Sequence, residues 1–260
     1  MDQSENHFVL VHGAGHGAWC WYKLATLLEL AGHRVTALDM AASGIHPKQV
    51  DELHSISDYL KPLMEFMESL PAEDQVVLVG HSAGGIGISV AMEKFPGKVS
   101  VAVFVTAMMH SYGLNLPTLF HKLFEGVEPW MDSQRRYNKG QDNPPTSLVW
   151  GPKHMQSKFY NLSPPQDLTL ATMLVRPYPL YVHDEARLLN DTVLTKENYG
   201  SVRRVYVVVK DDCVIKEEVQ RWMIENNPPD EVKVISGTAD HMVMFSNPQE
   251  LNSCLLGLIG

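Results

Sequence analysis

The chain has 260 residues, of which 45% are hydrophobic and 20% are charged, so it has room for one large α/β domain or two small ones. Its formal net charge of −9 argues against a nucleic-acid partner, because such a partner requires a basic face. The three cysteines are too few and too irregularly spaced for a disulfide framework or a zinc site, so we expect no bound metal.

The sequence also bears on the cellular compartment. The first seven residues are polar and acidic, and they lack the basic region and apolar stretch of a secretory signal. The longest apolar run, residues 99–109, is far too short to span a bilayer. Because few cysteines suit a reducing compartment, we expect a cytoplasmic protein with no membrane partner.

Apolar runs and helix-spaced patterns alternate along most of the chain. Strands are predicted at residues 7–11, 33–40, 75–79, 99–106, 204–209 and 232–235. Helices are predicted at residues 18–31, 51–70, 84–95, 216–226 and 248–258. Strands that alternate with helices indicate βαβ units, and therefore an α/β fold with a mostly parallel central sheet flanked by helices.

This alternation stops between about residues 110 and 198. The segment is rich in aromatic residues, proline and methionine, and it shows no clear strand periodicity. A departure of this length inside a compact domain is typical of an inserted cap rather than a plain loop. We therefore expect a single domain over residues 1–260 with an inserted helical cap at about 108–198.

A nucleophile motif follows the third predicted strand. Residues 80–84 read Gly-His-Ser-Ala-Gly and fit the Gly-x-Ser-x-Gly pattern of a nucleophile elbow. The two glycines suit a turn too tight for side chains, and the turn presents Ser82 at the start of the next helix. A buried strand precedes the motif and a helical pattern follows it, which favours a catalytic serine over a simple Gly-Ser turn.

A serine hydroxyl needs a general base, and in hydrolases with this motif the order along the chain is serine, acid, histidine. His241 is the only histidine after residue 183, and it follows the last predicted strand. The acid should follow the strand at 204–209, where Asp211 and Asp212 are both candidates, and spacing alone does not choose between them. Asp240 is better interpreted as part of the loop structure.

The oxyanion intermediate needs two backbone N–H donors. One is expected from Ala83, the residue after the nucleophile, and the other from the loop after the first strand, residues 12–15. This His-Gly-Ala-Gly loop could instead suggest phosphate binding. It lacks both the Gly-x-Gly-x-x-Gly pattern and a Lys-Ser/Thr pair, so we discount that alternative.

Taken together, these segments resemble the plant methylesterase and hydroxynitrile lyase family of α/β-hydrolases, and the resemblance runs from end to end. The matching stretches are HFVLVHGA at 7–14, Trp19 with WYKL at 21–24, AGHRVTALD at 31–39 with AASG at 41–44, VGHS at 79–82, GSVRRVY at 200–206 and ADHM at 239–242. The methylesterase branch is the more similar one.

The resemblance implies that Asp212 is the catalytic acid, that His241 is the base, and that Ala14 and Ala83 are the oxyanion donors. It implies no cofactor, a small-molecule ester as partner, and leaves a homodimer open. The lyase branch has a threonine where this chain has Gly13 and a lysine where it has Met242. Absence of that lysine, which would handle cyanide, argues against lyase chemistry.

Some positions depart from the usual methylesterase pattern. Ala83 stands where leucine or phenylalanine is usual, His110 replaces a proline, and Cys213, which we interpret as a passive loop residue, follows the acid. The cap side chains that resemble the pocket lining, each of which could equally belong to the cap core, are Trp130, Leu148, Trp150 and Leu180. For the substrate site we select Gly13, Trp130 and Met242.

The expected function is hydrolysis of a small or polycyclic apolar methyl ester by a Ser-His-Asp mechanism. Three alternatives remain open: an alkaloid esterase whose product acid decarboxylates, a hydroxynitrile-lyase-like enzyme, and a ligand sensor on a hydrolase scaffold. The natural ester cannot be read from the sequence, because specificity depends on the cap.

Overall fold

The computed structural model describes residues 5–125, 131–181 and 184–259. The strands are β1 (His7–Val11), β2 (Arg34–Leu38), β3 (Val76–His81), β4 (Val99–Val105), β5 (Gln134–Arg136), β6 (Ser147–Val149), β7 (Tyr178–Pro179), β8 (Arg204–Val209) and β9 (Glu231–Ile235). Six of them form a central sheet in the order β2-β1-β3-β4-β8-β9, and every neighbouring pair is parallel.

Helices flank this sheet and fill the region between β4 and β8. They are α1 (Tyr22–Leu30), α2 (Ile56–Ser69), α3 (Gly84–Lys94), α4 (Leu116–Phe124), α5 (Pro152–His154), α6 (Pro165–Leu174), α7 (Glu185–Asp191), α8 (Glu217–Asn226), α9 (Val243–Ser246) and α10 (Pro248–Leu256). Short 3-10 turns lie at Ala18–Trp21, Val50–Glu52, Pro96–Lys98 and Tyr199–Ser201, and a π-helical turn at Met155–Phe159. Among the described residues, no helix is both long and apolar enough to cross a membrane.

Two hydrophobic cores cover the two faces of the central sheet. Val9 and Val11 of β1 belong to one core, together with apolar residues of α2, α3 and α8. Phe8 and Leu10 of the same strand belong to the other, with apolar residues of α1 and α10. Because successive strand residues point to opposite faces, a strand buried on both sides is apolar on both, as residues 8–11 of β1 are.

The predicted α/β fold with a mostly parallel sheet is confirmed, and the predicted core strands and helices are all present: the strands at 7–11 and 204–209 have the predicted ends, and the other elements have shifted ends. The largest difference concerns the helix predicted at 51–70. The chain instead makes a 3-10 turn at Val50–Glu52 and then begins α2 after Ser55, whose side chain accepts a hydrogen bond from the backbone N–H of Asp58. This N-cap satisfies an N–H that would otherwise lack a partner, and so it starts a new helix.

The segment between β4 and β8 is not purely helical. Besides α4 to α7 it contains a three-stranded antiparallel sheet in the order β5-β6-β7. The sequence pattern did not indicate this sheet, because its strands are two or three residues long and all of β5 is exposed. Segments this short cannot show the alternation by which strands are recognised.

Candidate active site

Ser82 lies in the tight turn between β3 and α3, with a φ of 52°, a backbone conformation that is strained for a residue with a side chain. The flanking glycines leave no room for a Cβ atom. One added at Gly80 would lie 2.9 Å from Cδ1 of Ile88, and one added at Gly84 would lie 2.5 Å from the carbonyl oxygen of Val11. The spacing of the motif therefore reflects close packing of the turn against β1 and α3.

His241 and Asp212 form a buried hydrogen-bonded pair. Nδ1 of His241 donates to Oδ2 of Asp212 over 2.7 Å, and both side chains are fully buried. Oδ2 also accepts from Oγ1 of Thr106 at 2.5 Å, while Oδ1 accepts from the backbone N–H groups of Val214 at 2.6 Å and Ile215 at 2.9 Å. Four donors thus hold the carboxylate, which fixes the orientation of the imidazole ring.

The two other aspartates near these residues have different partners. Asp211 is exposed, and its carboxylate accepts from the backbone N–H of Gly237 at 2.6 Å. Asp240 accepts from the backbone N–H of Leu162 at 2.9 Å and holds the loop that way. Of the three carboxylates, the structure brings only that of Asp212 into hydrogen-bond contact with His241.

The second ring nitrogen of His241 is available for chemistry. A carboxylate can only accept, so Nδ1 carries the proton and Nε2 has the lone pair. Nε2 is buried and has no hydrogen-bond partner among the described residues. The ring of Phe159 packs edge-on against the imidazole of His241, with 5.1 Å between the ring centroids. The ring of His81 has its centroid 4.6 Å from that of His241, and its Nε2 donates to the backbone carbonyl of His241. Burial lowers the pKa of His81 well below its usual value, so this neighbour stays neutral.

Two backbone N–H groups lie beside the serine. Ala14, in the loop after β1, and Ala83 both line the same cavity as Ser82. Neither N–H donates a hydrogen bond to another described residue. Gly13 brings the loop close, since a Cβ atom added there would lie 2.9 Å from Cβ of Ser82. Two residues with unused backbone N–H groups thus line the same cavity as Ser82, and their role as an oxyanion hole stays a prediction.

A cavity of about 780 Å³ opens onto Ser82, Ala14 and Ala83. Most of its lining is apolar and comes from α8 and from the segment between β4 and β8, including α4. Charged side chains, among them Lys122 and Arg221, also contribute to its lining. A volume of this size accommodates a drug-sized organic molecule and buries most of its surface.

The substrate-binding residues selected from the sequence do not all line this cavity. Met242 is fully buried in the second core, and neither it nor Gly13 is among the residues that line the cavity, so their assignment to the substrate site stays a prediction. Leu148, Trp150 and Leu180, which were left unselected, all line the cavity. Trp130 lies outside the described residues.

Sequence reasoning also missed several residues that support the site. Thr106, at the end of β4, holds Asp212 and has a φ of 37°. His12 and His16 flank the Ala14 loop, and both are buried. Their positions next to the Gly-Ala-Gly stretch were visible in the sequence, but their partners were not. No cluster of three metal-ligating side chains occurs within the described part of the chain.

The buried His110, in the segment after β4, should make the stability of the fold depend on pH. Burial lowers its pKa from the ordinary 6.5 to about 4, and its Nε2 donates to the carbonyl of Thr192 at 3.3 Å. The unfolded state therefore binds a proton that the folded state does not. This contribution to stability is complete above about pH 6.5 and is lost as the pH falls toward 4.

We expect the variant His110→Gln to lose less stability on acidification than the native protein, by up to about 1.4 kcal/mol per pH unit in this window. Glutamine can still donate to Thr192 but does not titrate. Urea unfolding between pH 4.5 and 8 measures the free energy of unfolding of both proteins. If the free energy of unfolding of the two proteins changed with pH in parallel over this whole range, the prediction would be contradicted.

The sequence matches the profile of the alpha/beta hydrolase family over residues 8–253. It is 54% identical over 260 residues to methyl jasmonate esterase 1 of Vitis vinifera, covering 100% of this chain and 98% of that protein. It is 48% identical to salicylic acid-binding protein 2 of Nicotiana tabacum, covering 96% and 95% of the two chains.

Solved structures give the same relationship. Tomato methylketone synthase I, in complex with 2-tridecanone, matches with a TM-score of 0.92 and 49% identity, covering 98% of this chain and 97% of that one. Polyneuridine aldehyde esterase matches with a TM-score of 0.90 and 42% identity, covering 99% and 100%. The resemblance inferred from the sequence is confirmed, and the chain belongs to the alpha/beta hydrolase family, within its plant methylesterase group.

Proposed function

We propose that the protein is a serine carboxylesterase that hydrolyses a methyl ester of an apolar acid. The observation that carries this proposal is the buried His241–Asp212 pair, in which Nε2 of His241 has no partner among the described residues, and a serine held in a strained turn supports it. Its relatives include an enzyme named methyl jasmonate esterase and several named methylesterases, which supports ester hydrolysis.

In the proposed mechanism, Ser82 Oγ attacks the ester carbonyl and Nε2 of His241 takes the hydroxyl proton. The N–H groups of Ala14 and Ala83 stabilise the oxyanion that forms, and Asp212 stabilises the imidazolium. His241 then donates the proton to the departing methoxide, so methanol leaves and an acyl-serine remains. Water, deprotonated by His241, attacks this ester, and the acid leaves as Ser82 recovers its proton. No cofactor takes part in these steps.

We further propose that the segment at about 108–198 is a cap that selects the substrate. Leu148, Trp150 and Leu180 come from it and line the cavity above Ser82. Ala83 lines the same cavity with only a methyl group. A small side chain next to the nucleophile leaves space where the acyl group must lie, so the proposal favours an acyl group bulkier than salicylate.

The variant Ala83→Leu tests this use of space. Its backbone N–H is retained, so we expect kcat/KM for methyl salicylate to stay within about twofold. For a polycyclic methyl ester we expect kcat/KM to fall by about tenfold or more, because about three extra heavy atoms overpack the acyl site at a cost of roughly 1–3 kcal/mol. Competition kinetics between the two esters measures the ratio directly. Equal handling of the bulky ester by both proteins would mean that the space is not used.

A second candidate is an alkaloid esterase whose product acid decarboxylates. The similarity to polyneuridine aldehyde esterase and to proteins named norfluorocurarine synthase favours it. The ester cleavage is the same in both candidates, and the difference lies in the acid released. A β-aldehyde or β-keto ester substrate would give carbon dioxide in addition to methanol, which product analysis detects.

The proposed function is tested by methanol release from a panel of methyl esters, combined with labelling by a fluorophosphonate. We expect turnover of at least one ester and a single covalent adduct on Ser82, identified by peptide mass spectrometry. A chromogenic ester that gives a burst without further turnover would instead indicate a ligand sensor. Labelling at another residue would contradict the assignment of the nucleophile.

The proposal includes a cytoplasmic location, which the absence of disulfides among the three cysteines supports.

A further inference from the structure

The carbonyl group of Ala14 is held from two sides. It accepts a hydrogen bond from Nδ1 of His16 at 3.0 Å and another from the indole Nε1 of Trp150 at 2.9 Å. Gly15 makes the close approach of the indole possible, because a Cβ atom there would lie 2.7 Å from Cδ1 of Trp150. A side chain outside the loop therefore contacts the backbone of an oxyanion donor directly.

The ring of His16 is fixed by a third residue. A carbonyl oxygen can only accept, so Nδ1 of His16 carries the proton and Nε2 is the acceptor. The hydroxyl of Tyr160 lies 2.7 Å from Nε2 and donates to it. Burial lowers the pKa of His16 to about 3 and raises that of Tyr160 well above its usual value, so neither group changes its protonation near neutral pH. Tyr160 thereby selects the tautomer that binds Ala14.

The peptide groups on either side are held as well. The carbonyl of Gly13 accepts from Nδ1 of His12 at 2.8 Å and from the backbone N–H of His16 at 3.3 Å. Because a trans peptide is planar, fixing this carbonyl fixes the direction of the N–H of Ala14 in the same peptide. The hydrogen bonds to the carbonyl of Ala14 fix the next peptide. Together they determine the backbone angles of Ala14.

Trp150 and Tyr160 both belong to the segment between β4 and β8, whereas His12 and His16 belong to the loop after β1. The same segment also reaches the proposed base: Phe159 packs 4.8 Å from the ring of Trp150 and 5.1 Å, edge-on, from the ring of His241. Contacts from this one segment therefore reach both the N–H of Ala14 and the imidazole.

We propose that Trp150, His16 and Tyr160 form a clamp that holds the carbonyl of Ala14 and, together with the hydrogen bonds to the carbonyl of Gly13, positions the N–H of Ala14 for the oxyanion, so that the segment between β4 and β8 completes the catalytic site rather than only lining the pocket. This inference rests on the proposed esterase function. The three are positioning residues, since they act through the backbone of Ala14. The clamp is needed most when negative charge develops on the substrate oxygen, and it should therefore affect the transition state more than ground-state binding.

The variant Tyr160→Phe is the cleanest test, because Tyr160 does not line the cavity and phenylalanine keeps its ring packing. Loss of the hydroxyl leaves the tautomer of His16 unselected. We expect kcat to fall by about tenfold or more, up to the roughly hundredfold to thousandfold loss known for removal of a whole oxyanion donor, while KM changes less than twofold. The matched control is Tyr199→Phe, which removes another buried hydroxyl, hydrogen-bonded to Asn227 at 2.7 Å. Its Tm should fall comparably without a change in kcat.

A second pair of variants covers the case in which Tyr160→Phe does not fold. Trp150→Phe removes the N–H donated to Ala14, whereas Trp19→Phe removes a buried indole N–H that has no partner among the described residues. For each variant, the affinity of a trifluoromethyl ketone, which forms a tetrahedral adduct with the serine, is compared with that of the product acid. We expect Trp150→Phe to weaken the ketone by the same factor as kcat/KM, and to weaken the product acid much less. Trp19→Phe should change neither affinity.

The outcomes separate the clamp from the proposed function. If the native protein neither hydrolyses methyl esters nor binds the ketone, the proposed esterase function fails. If the native protein is active and Tyr160→Phe or Trp150→Phe keeps its kcat within twofold, or weakens the ketone and the product acid equally, the clamp is overturned and these side chains only stabilise the fold or the pocket.

Discussion

Replacing Ser82 by alanine is expected to lower kcat for methyl ester hydrolysis by at least about a thousandfold, because loss of a triad nucleophile leaves only the catalysis supplied by binding and the oxyanion hole. The fold should remain, since the hydroxyl of Ser82 makes no hydrogen bond within the described chain and faces the cavity. Alanine also fits the same tight turn. The measurement is methanol release at saturating ester, with circular dichroism and Tm as checks of folding.

Ser89→Ala is the matched control for this variant. Ser89 lies on α3, seven positions after the nucleophile, and its buried hydroxyl donates to the carbonyl of Gly85 at 2.8 Å. Removing it takes away a hydrogen bond that Ser82 does not make, so its Tm should fall more while kcat stays unchanged. A decrease of less than about a hundredfold for Ser82→Ala would be incompatible with a triad nucleophile.

The parallel sheet and the nucleophile turn could be predicted because their signals are local. A strand buried on both faces reads as a continuous apolar run, as residues 8–11 of β1 and 76–79 of β3 do, and a turn packed against β1 requires Gly84. The end of β3, the turn and α3 follow one another directly within residues 80–94. Neither property depends on which distant segments come to lie nearby.

The segment between β4 and β8 and the start of α2 were predicted less well. The residues at 51–70 were read as one helix, and only the N-cap hydrogen bond of Ser55 shows that a new helix begins there. The small antiparallel sheet between β4 and β8 depends on pairing between residues as far apart in sequence as Ser147 and Pro179. Their pairing is tertiary, and two-residue strands carry no periodicity that could reveal it.

In the site, the sequence led to the nucleophile and the histidine but gave no direction for the neighbouring side chains. Met242 follows His241 directly, yet its side chain is fully buried in the second core and is not among the residues that line the cavity. Trp150 is far from Ala14 in sequence and contacts it only through the fold. Contacts of this kind need the three-dimensional arrangement of cap and sheet.

The adjacent aspartates also could not be told apart from the sequence, and replacing the correct one is expected to have the second large effect on kcat. Sequence spacing did not distinguish Asp211 from Asp212, but their surroundings differ completely. Asp212 is buried and accepts from His241, Thr106 and two backbone N–H groups. Asp211 is exposed, and its carboxylate accepts from the backbone N–H of Gly237.

We expect Asp212→Asn to lower kcat by about a thousandfold to ten-thousandfold, because a neutral amide neither stabilises the imidazolium nor enforces the tautomer with a free Nε2 on His241. Asp211→Asn should stay within about twofold, since its amide oxygen can still accept from Gly237 and no charge near the imidazole is lost. The two variants differ from the native protein by the same chemical change at neighbouring positions, so each serves as the control for the other. Steady-state kinetics with a methyl ester, together with Tm, measures both. The reverse pattern would move the acid to Asp211, and equal large losses would show that the loop, rather than one carboxylate, supports His241.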